Sequence, residues 1–125
     1  MMMVRKALAL TVLLLLTASV QPARADAAGD ARKNSQAQVE FGILAAQKEL
    51  WREALYRWKR AAEIDPNYAA AYNNLAIAYE HEGELTKARA AYEKALQLEP
   101  NNSYIKQNYE LFKEINDRTT RKDGQ

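Results

Sequence analysis

The sequence predicts an all-α fold, a short solenoid of about five helices arranged as helical hairpins. The first observation is a repeat: residues 35–68 align with residues 69–102 at a spacing of 34. The coinciding identities are Ala37/Ala71, Ile43/Ile77, Ala54/Ala88, Ala61/Ala95, Pro66/Pro100 and Asn67/Asn101. The second observation is that the sequence has neither the sustained alternation nor the Asn-Gly turns of β-hairpins. A period of this size is typical of units that bury their apolar faces against neighbouring units.

Residues 1–25 have the pattern of a secretory signal. Arg5 and Lys6 precede an uncharged run, Ala7–Val20, and Ala23-Arg24-Ala25 supplies the small residues that a signal peptidase recognises. We therefore expect cleavage after Ala25 and a periplasmic or secreted protein without membrane attachment. The alternative is an uncleaved membrane anchor, although a spanning helix needs about 20 apolar residues.

Charge and cysteine content narrow the function classes. The chain has 18 basic and 16 acidic residues, and three of the basic ones lie in the signal. The remaining part therefore has 15 basic residues against 16 acidic ones, and this balance predicts no nucleic-acid partner. Because the chain has no cysteine, it has neither disulfide bonds nor a thiol nucleophile.

The helices are predicted from apolar spacing and from turn residues. Residues 26–34 are polar, contain Gly29 and are predicted to be a flexible lead-in. Ser35 is the expected N-cap of the first helix, whose apolar residues recur at spacings of three and four. The second helix should run from about Leu50 to Ile64 and end before Pro66.

The same order of elements then returns. A third helix is followed by Gly83, a fourth ends before Pro100, and a fifth is capped by Asn102 or Ser103. The predicted bounds of these helices are Tyr68–Glu82, Leu85–Leu98 and 103–116. Residues 117–125 are charged and lack large apolar side chains, which predicts a disordered tail.

The second unit has a characteristic set of aromatic, leucine, small, glycine and proline residues, which are Tyr72, Leu75, Ala76, Tyr79, Gly83, Ala88, Tyr92, Ala95 and Pro100. With this set it resembles the tetratricopeptide repeat. The first unit fits less completely, with Phe41, Gly42, Ala54, Trp58, Ala61 and Pro66 in place but Glu49 where glycine is usual. The resemblance covers residues 35–116 and implies two repeats, 35–68 and 69–102, followed by a capping helix, 103–116.

The resemblance implies a concave groove lined by the first helix of each pair. The corresponding residues are Val39, Ile43, Gln47, Asn73, Asn74, Ile77, His81, Tyr104, Asn108 and Leu111. Ile43, Ile77 and Leu111 are 34 residues apart, so they should form an apolar line across this groove. We expect a protein or peptide partner held by this line and by amide hydrogen bonds. The alternative is that these side chains pack within the array.

Catalytic and cofactor motifs were also sought. The acidic segment around His81 is the one candidate, but it lacks the second histidine that a zinc-binding helix requires. The predicted function is therefore an exported, non-catalytic adaptor without cofactors. The alternatives are self-association into a homo-oligomer through the repeat ends, a membrane-tethered scaffold and, less favoured, a hydrolase or metal-dependent enzyme that uses His81.

Overall fold

The computed structural model describes residues 21–123, with side chains described for residues 24–118. Within this range the chain forms five α-helices joined by turns. Their bounds are α1 Gln21–Gln47, α2 Trp51–Ile64, α3 Ala69–His81, α4 Leu85–Leu98 and α5 Ser103–Asp123. The described residues contain no strand, and the predicted all-α class with five helices is confirmed.

The first helix begins earlier than the sequence pattern predicted. Residues 26–34 belong to α1, so the expected irregular lead-in is helical instead. The segment contains three alanines, whose high helix propensity offsets the cost of Gly29. The chain divides into two units after Asp30, and the described side chains of the first unit, 24–30, are all exposed. The apolar run Ala7–Val20 of the predicted signal lies outside the described residues.

Two further details of the helix ends differ from the prediction. Ser35 is not an N-cap: it lies inside α1, fully buried, and its hydroxyl donates a hydrogen bond to the Ala61 carbonyl over 2.8 Å. Helix α5 continues to Asp123, so the predicted tail is helical over most of its length. The cap of α5 is Asn102, whose Oδ1 accepts a hydrogen bond from the Ile105 backbone N–H over 3.1 Å.

Membrane spanning was tested on the same part of the chain. Among the helices in residues 21–123, none combines the length and the apolar content that crossing a bilayer requires.

The core alternates large and small side chains in the 34-residue register. Trp58 and its counterpart Tyr92, which are characteristic positions of the two units, are both buried. Around them lie alanines with no exposed surface, which let neighbouring helices approach closely: Ala54, Ala61, Ala76, Ala88 and Ala95. The Trp58 Nε1–H donates a hydrogen bond to the Val39 carbonyl over 3.1 Å and ties α2 to α1.

The two turns within the helical pairs share one backbone geometry. Glu49 and Gly83, which are 34 residues apart, both adopt a positive φ, of 60° and 74°. In the first turn Leu50 N–H donates to the Ala45 carbonyl, and in the second Glu84 N–H donates to the Tyr79 carbonyl, each over 2.9 Å. Both are Schellman ends, in which the left-handed residue is usually glycine.

Replacing Glu49 by glycine is therefore expected to stabilise the protein by about 1 kcal/mol, because a side chain strains the left-handed conformation. Urea denaturation followed by circular dichroism measures this gain. Gly83→Ala is the matched opposite change and should destabilise by a similar amount. No gain in Glu49→Gly would show that this turn carries no such strain.

The first repeat leaves an apolar end uncovered. Phe41 is 54% exposed, whereas its counterpart Leu75 is 6% exposed and packs in the core. Leu44 is likewise exposed, while its counterparts Ala78 and Phe112 are buried. Helix α2 of the first repeat packs against α3, the first helix of the second repeat. Within the described residues, no preceding hairpin packs against α1 in the same way.

Candidate functional site

The first helices of the pairs, α1, α3 and α5, together line a cavity of about 310 Å³. Its lining residues are Val39, Ile43, Tyr68, Ala70, Asn73, Asn74, Glu99, Asn102, Tyr104 and Ile105. We call this space the α1–α3–α5 cavity. Five of its residues were predicted from the sequence as partner-binding: Val39, Ile43, Asn73, Asn74 and Tyr104.

Sequence reasoning missed the contributions of the turns. Tyr68, Glu99 and Asn102 line the cavity from the segments that connect α2 to α3 and α4 to α5, and Ile105 lines it from α5. A signal for them exists, since Tyr68 and Asn102 occupy the same position in successive repeats. Helical periodicity identifies faces of helices and gives no indication of how a turn approaches its neighbours.

Two of the amide side chains in this region are hydrogen-bonded to each other. Asn73 is only 3% exposed, and its Oδ1 accepts a hydrogen bond from Asn108 Nδ2 over 3.1 Å. This bond links α3 to α5 and fixes both amides. Asn74 is half-buried, lines the cavity and forms no side-chain hydrogen bond to the rest of residues 21–123. Asn74 is therefore the predicted amide that is most available to a ligand.

The predicted apolar line has accessible side chains in all three helices. Ile43 is exposed at the α1–α3–α5 cavity, and Leu111 on α5 is 57% exposed. Ile77 is half-buried and lines a smaller depression of about 180 Å³ with Glu80 and His81. Gln47 is exposed at the end of α1. These residues are positioned to contact a partner, and their role in binding stays a prediction.

The acidic segment around His81 is organised by packing. The His81 ring stacks on Trp51, with ring centroids 3.4 Å apart and planes inclined by 12°. The Glu80 carboxylate accepts a hydrogen bond from the Tyr92 hydroxyl over 2.6 Å. Burial first, and then this bond to Glu80, raise the pKa of Tyr92. Each side chain therefore has a structural partner, Trp51 for His81 and Tyr92 for Glu80.

Asp65, in the turn before α3, forms a partly buried ion pair with Arg32 of α1. Asp65 accepts a hydrogen bond from Arg32 Nε and another from the Asn67 backbone N–H, the latter over 3.0 Å. Burial alone would raise the pKa of Asp65, but these two hydrogen bonds and the charge of Arg32 lower it. The guanidinium of Arg32 also lies over the ring of Tyr68, 4.7 Å from its centroid. Arg32 thus links α1 to the turn between α2 and α3.

Comparison with known families gives two matches. A model described as tetratricopeptide repeat matches residues 69–102, which is the second repeat with the predicted bounds. A second model, described as TPR repeat, matches residues 46–83, across the junction of the two repeats.

Curated proteins also resemble the chain over its repeats. It is 28% identical over 86 residues to a chloroplastic tetratricopeptide repeat domain-containing protein, PYG7, of Arabidopsis thaliana, covering 69% of the chain and 29% of that protein. It is 38% identical over 64 residues to the protein O-mannosyl-transferase TMTC4 of Mus musculus, covering 51% of the chain and 9% of that protein. It is 47% identical over 45 residues to the uncharacterized protein ycf37 of Pyropia yezoensis, covering 36% of the chain and 25% of that protein. The chain therefore spans less than a third of the length of each of these relatives.

Proposed function

This chain belongs to the tetratricopeptide repeat family, and we propose that it is an exported, non-catalytic adaptor that holds a segment of a partner protein against α1, α3 and α5. Repeats of this family are protein–protein interaction modules. The observation that carries the proposal is the α1–α3–α5 cavity, where apolar side chains, tyrosines and amides from three helices are accessible together. Such a mixture of apolar contact and hydrogen-bonding groups suits a polypeptide segment.

An adaptor role fits the chemistry of the site better than catalysis does. His81 is stacked on Trp51 and Glu80 is bonded to Tyr92, so both side chains serve packing. Residues 24–118 hold no group of three potential metal ligands. Two relatives with enzyme names, an O-mannosyl-transferase and an N-acetylglucosaminyltransferase, share with this chain only 9% and 7% of their lengths. We propose that the shared part is the repeat module and that binding is its contribution.

Export is supported by the sequence alone. Arg5, Lys6 and the run Ala7–Val20 precede the small residues Ala23 and Ala25, which is the order of a cleavable signal. We propose that the adaptor acts in the periplasm or outside the cell. Sequencing the N-terminus of the purified mature protein tests this, with Asp26 expected as the first residue. An intact N-terminus in the membrane fraction would favour the tethered scaffold instead.

Self-association is the second candidate function, and the uncovered end of the first repeat favours it. Phe41 and Leu44 are exposed there, although their counterparts in the later repeats are packed. An exposed apolar pair of this kind is a common feature of protein interfaces. A mass that increases with protein concentration in sedimentation equilibrium would support this candidate, and a constant monomer mass would exclude it.

The proposed binding surface is tested by placing a charge on the apolar line. Short peptides selected on the wild-type chain from a displayed random library serve as probes, and fluorescence anisotropy gives their affinities. Ile77→Glu and Leu111→Glu should each weaken binding by at least about tenfold, because the buried apolar contact is lost and a charge is desolvated.

The matched control is Tyr56→Glu, which places the same charge on an exposed aromatic position of α2. It should leave peptide affinity unchanged. Leu111 is already exposed, so the Leu111→Glu variant stays folded even if the half-buried Ile77 does not tolerate glutamate. Unchanged affinity in folded Leu111→Glu, together with unchanged affinity in Ile77→Glu if that variant folds, would disprove the proposed surface.

A further inference from the structure

Glu99 is a carboxylate at the wall of the α1–α3–α5 cavity without a cationic partner. It is exposed, and its Oε2 accepts a hydrogen bond from Asn102 Nδ2 over 2.9 Å. Within residues 24–118, no lysine or arginine pairs with it. The other carboxylate oxygen is therefore free to accept a hydrogen bond from a ligand.

The equivalent turn in the first repeat shows what such a carboxylate holds in this protein. Asp65, 34 residues before Glu99, is paired with Arg32. The same guanidinium lies over the Tyr68 ring, and its Nη2 donates to the Asn67 carbonyl over 3.3 Å. The residue 34 positions after Arg32 is Pro66, which has no charge. The chain thus supplies a guanidinium to its first turn and none to its second.

Several carboxylates act on the Tyr68 side chain, which lines this cavity. Burial, which is the largest cause, raises the pKa of the Tyr68 hydroxyl, Arg32 lowers it, and the charges of Glu40, Glu99 and Asp65 raise it further. Arg32 neutralises Asp65 through their ion pair, but Glu40 and Glu99 have no such partner among the described side chains. Two carboxylates without an ion-pair partner therefore act on Tyr68, and one of them, Glu99, lines the cavity itself, which favours a positively charged ligand.

The walls suit a flat cation. Tyr104 lines the cavity with a ring that is 61% exposed, and Asn74 offers an amide oxygen. A guanidinium stacks on an aromatic face and donates two parallel hydrogen bonds to a carboxylate, whereas an ammonium is a more strongly hydrated point charge. The cavity of about 310 Å³ has room for an arginine side chain in an extended conformation.

We propose that the cavity beside Glu99 binds an arginine side chain of the partner polypeptide. This arginine contacts Glu99 in the way that Arg32 contacts Asp65 at the equivalent turn of the first repeat. This inference rests on the proposed function, because it identifies one side chain of the segment held by α1, α3 and α5. Glu99 receives the guanidinium, the Tyr104 ring covers it, and Ile43 and Val39 contact the methylene chain.

The test uses small probes and the full mature chain. N-acetyl-arginine methylamide is titrated into isotopically labelled protein and followed by amide chemical shifts in NMR spectra. The matched citrulline compound is the neutral isostere, and the lysine compound distinguishes a guanidinium from an ammonium. We expect the arginine probe to bind about tenfold more tightly than citrulline, with shifts at the cavity residues. Glu99→Gln should abolish most of this preference and leave citrulline binding unchanged.

Glu63→Gln is the control for net charge, because Glu63 is exposed on α2 and does not line the cavity. It should keep the arginine preference. Equal binding of arginine and citrulline, or shifts away from the cavity, would overturn the inference. If that happens while Ile77→Glu and Leu111→Glu still weaken peptide binding, the groove stands and only its arginine site is wrong. If the arginine preference holds and both glutamate variants bind peptide normally, the proposed function fails instead.

Discussion

Replacing Leu75 by alanine is expected to lower the free energy of unfolding by about 2–5 kcal/mol. Leu75 is 6% exposed and belongs to the main core cluster with Trp58 and Tyr92. Truncation leaves a cavity in this cluster, which the close-packed surrounding side chains fill only in part. Urea denaturation followed by far-UV circular dichroism measures the loss. In a domain of this size the variant should be partly unfolded at room temperature.

Phe41→Ala is the matched change 34 residues earlier. It removes a larger side chain, yet we expect a loss of about 1 kcal/mol or less, because 54% of Phe41 is already exposed to solvent. The ring contacts the guanidinium of Arg57, whose carbon lies 5.5 Å from its centroid, and this weak contact is lost. Equal losses at the two positions would mean that α1 is covered in solution and would contradict the description of an uncovered end.

The helices in the interior of the fold were predictable because the turn residues and the apolar spacing indicate the same helix bounds. The predicted bounds of α4 are those observed, and the start of α2 differs by one residue. Pro66 and Pro100 end helical conformation in the preceding residues, while Gly83 permits the left-handed turn. The spacing of Trp58 and Tyr92 located the core, and both are buried.

The ends of the fold were predicted less well for a physical reason. Apolar periodicity reports only the parts of a helix that pack against another element. Residues 24–30 of α1 are all exposed, and residues 117–123 of α5 contain no large apolar side chain, so helix propensity and not apolar spacing decides the conformation of both segments. Phe41 matches the repeat pattern as its buried counterpart Leu75 does, but a terminal repeat lacks the neighbour that would bury it.

Five of the ten residues that line the α1–α3–α5 cavity were predicted, and the others were missed for a related reason. The family resemblance implied Val39, Ile43 and Asn74, because the first helix of each pair lines the groove in that family. It could not identify Glu99, which comes from a turn whose path depends on tertiary packing. It also could not show that Asn73 is bonded to Asn108, since that pair joins two helices of different repeats.

Replacing Gly42 by alanine should destabilise the protein by about 2–4 kcal/mol, although alanine is the better helix former. A Cβ atom at this position would lie 2.2 Å from Nε1 of Trp58, closer than any van der Waals contact allows. The indole is buried and donates its N–H to the Val39 carbonyl, so it can move only by losing that hydrogen bond. The clash and the unsatisfied donor therefore outweigh the gain of about 1 kcal/mol in helix propensity.

Gly29→Ala is the control in the same helix, because among the described residues no atom beyond its chain neighbours and the adjacent helix backbone lies within 4 Å of the added methyl group. It should be neutral or stabilising by up to about 1 kcal/mol. A double-mutant cycle isolates the clash: with Trp58→Leu as background, Gly42→Ala should cost less than about 1 kcal/mol, since the ring it meets is gone. If Gly42→Ala remained as costly in that background, the close approach of α1 to α2 at Trp58 would not be its cause.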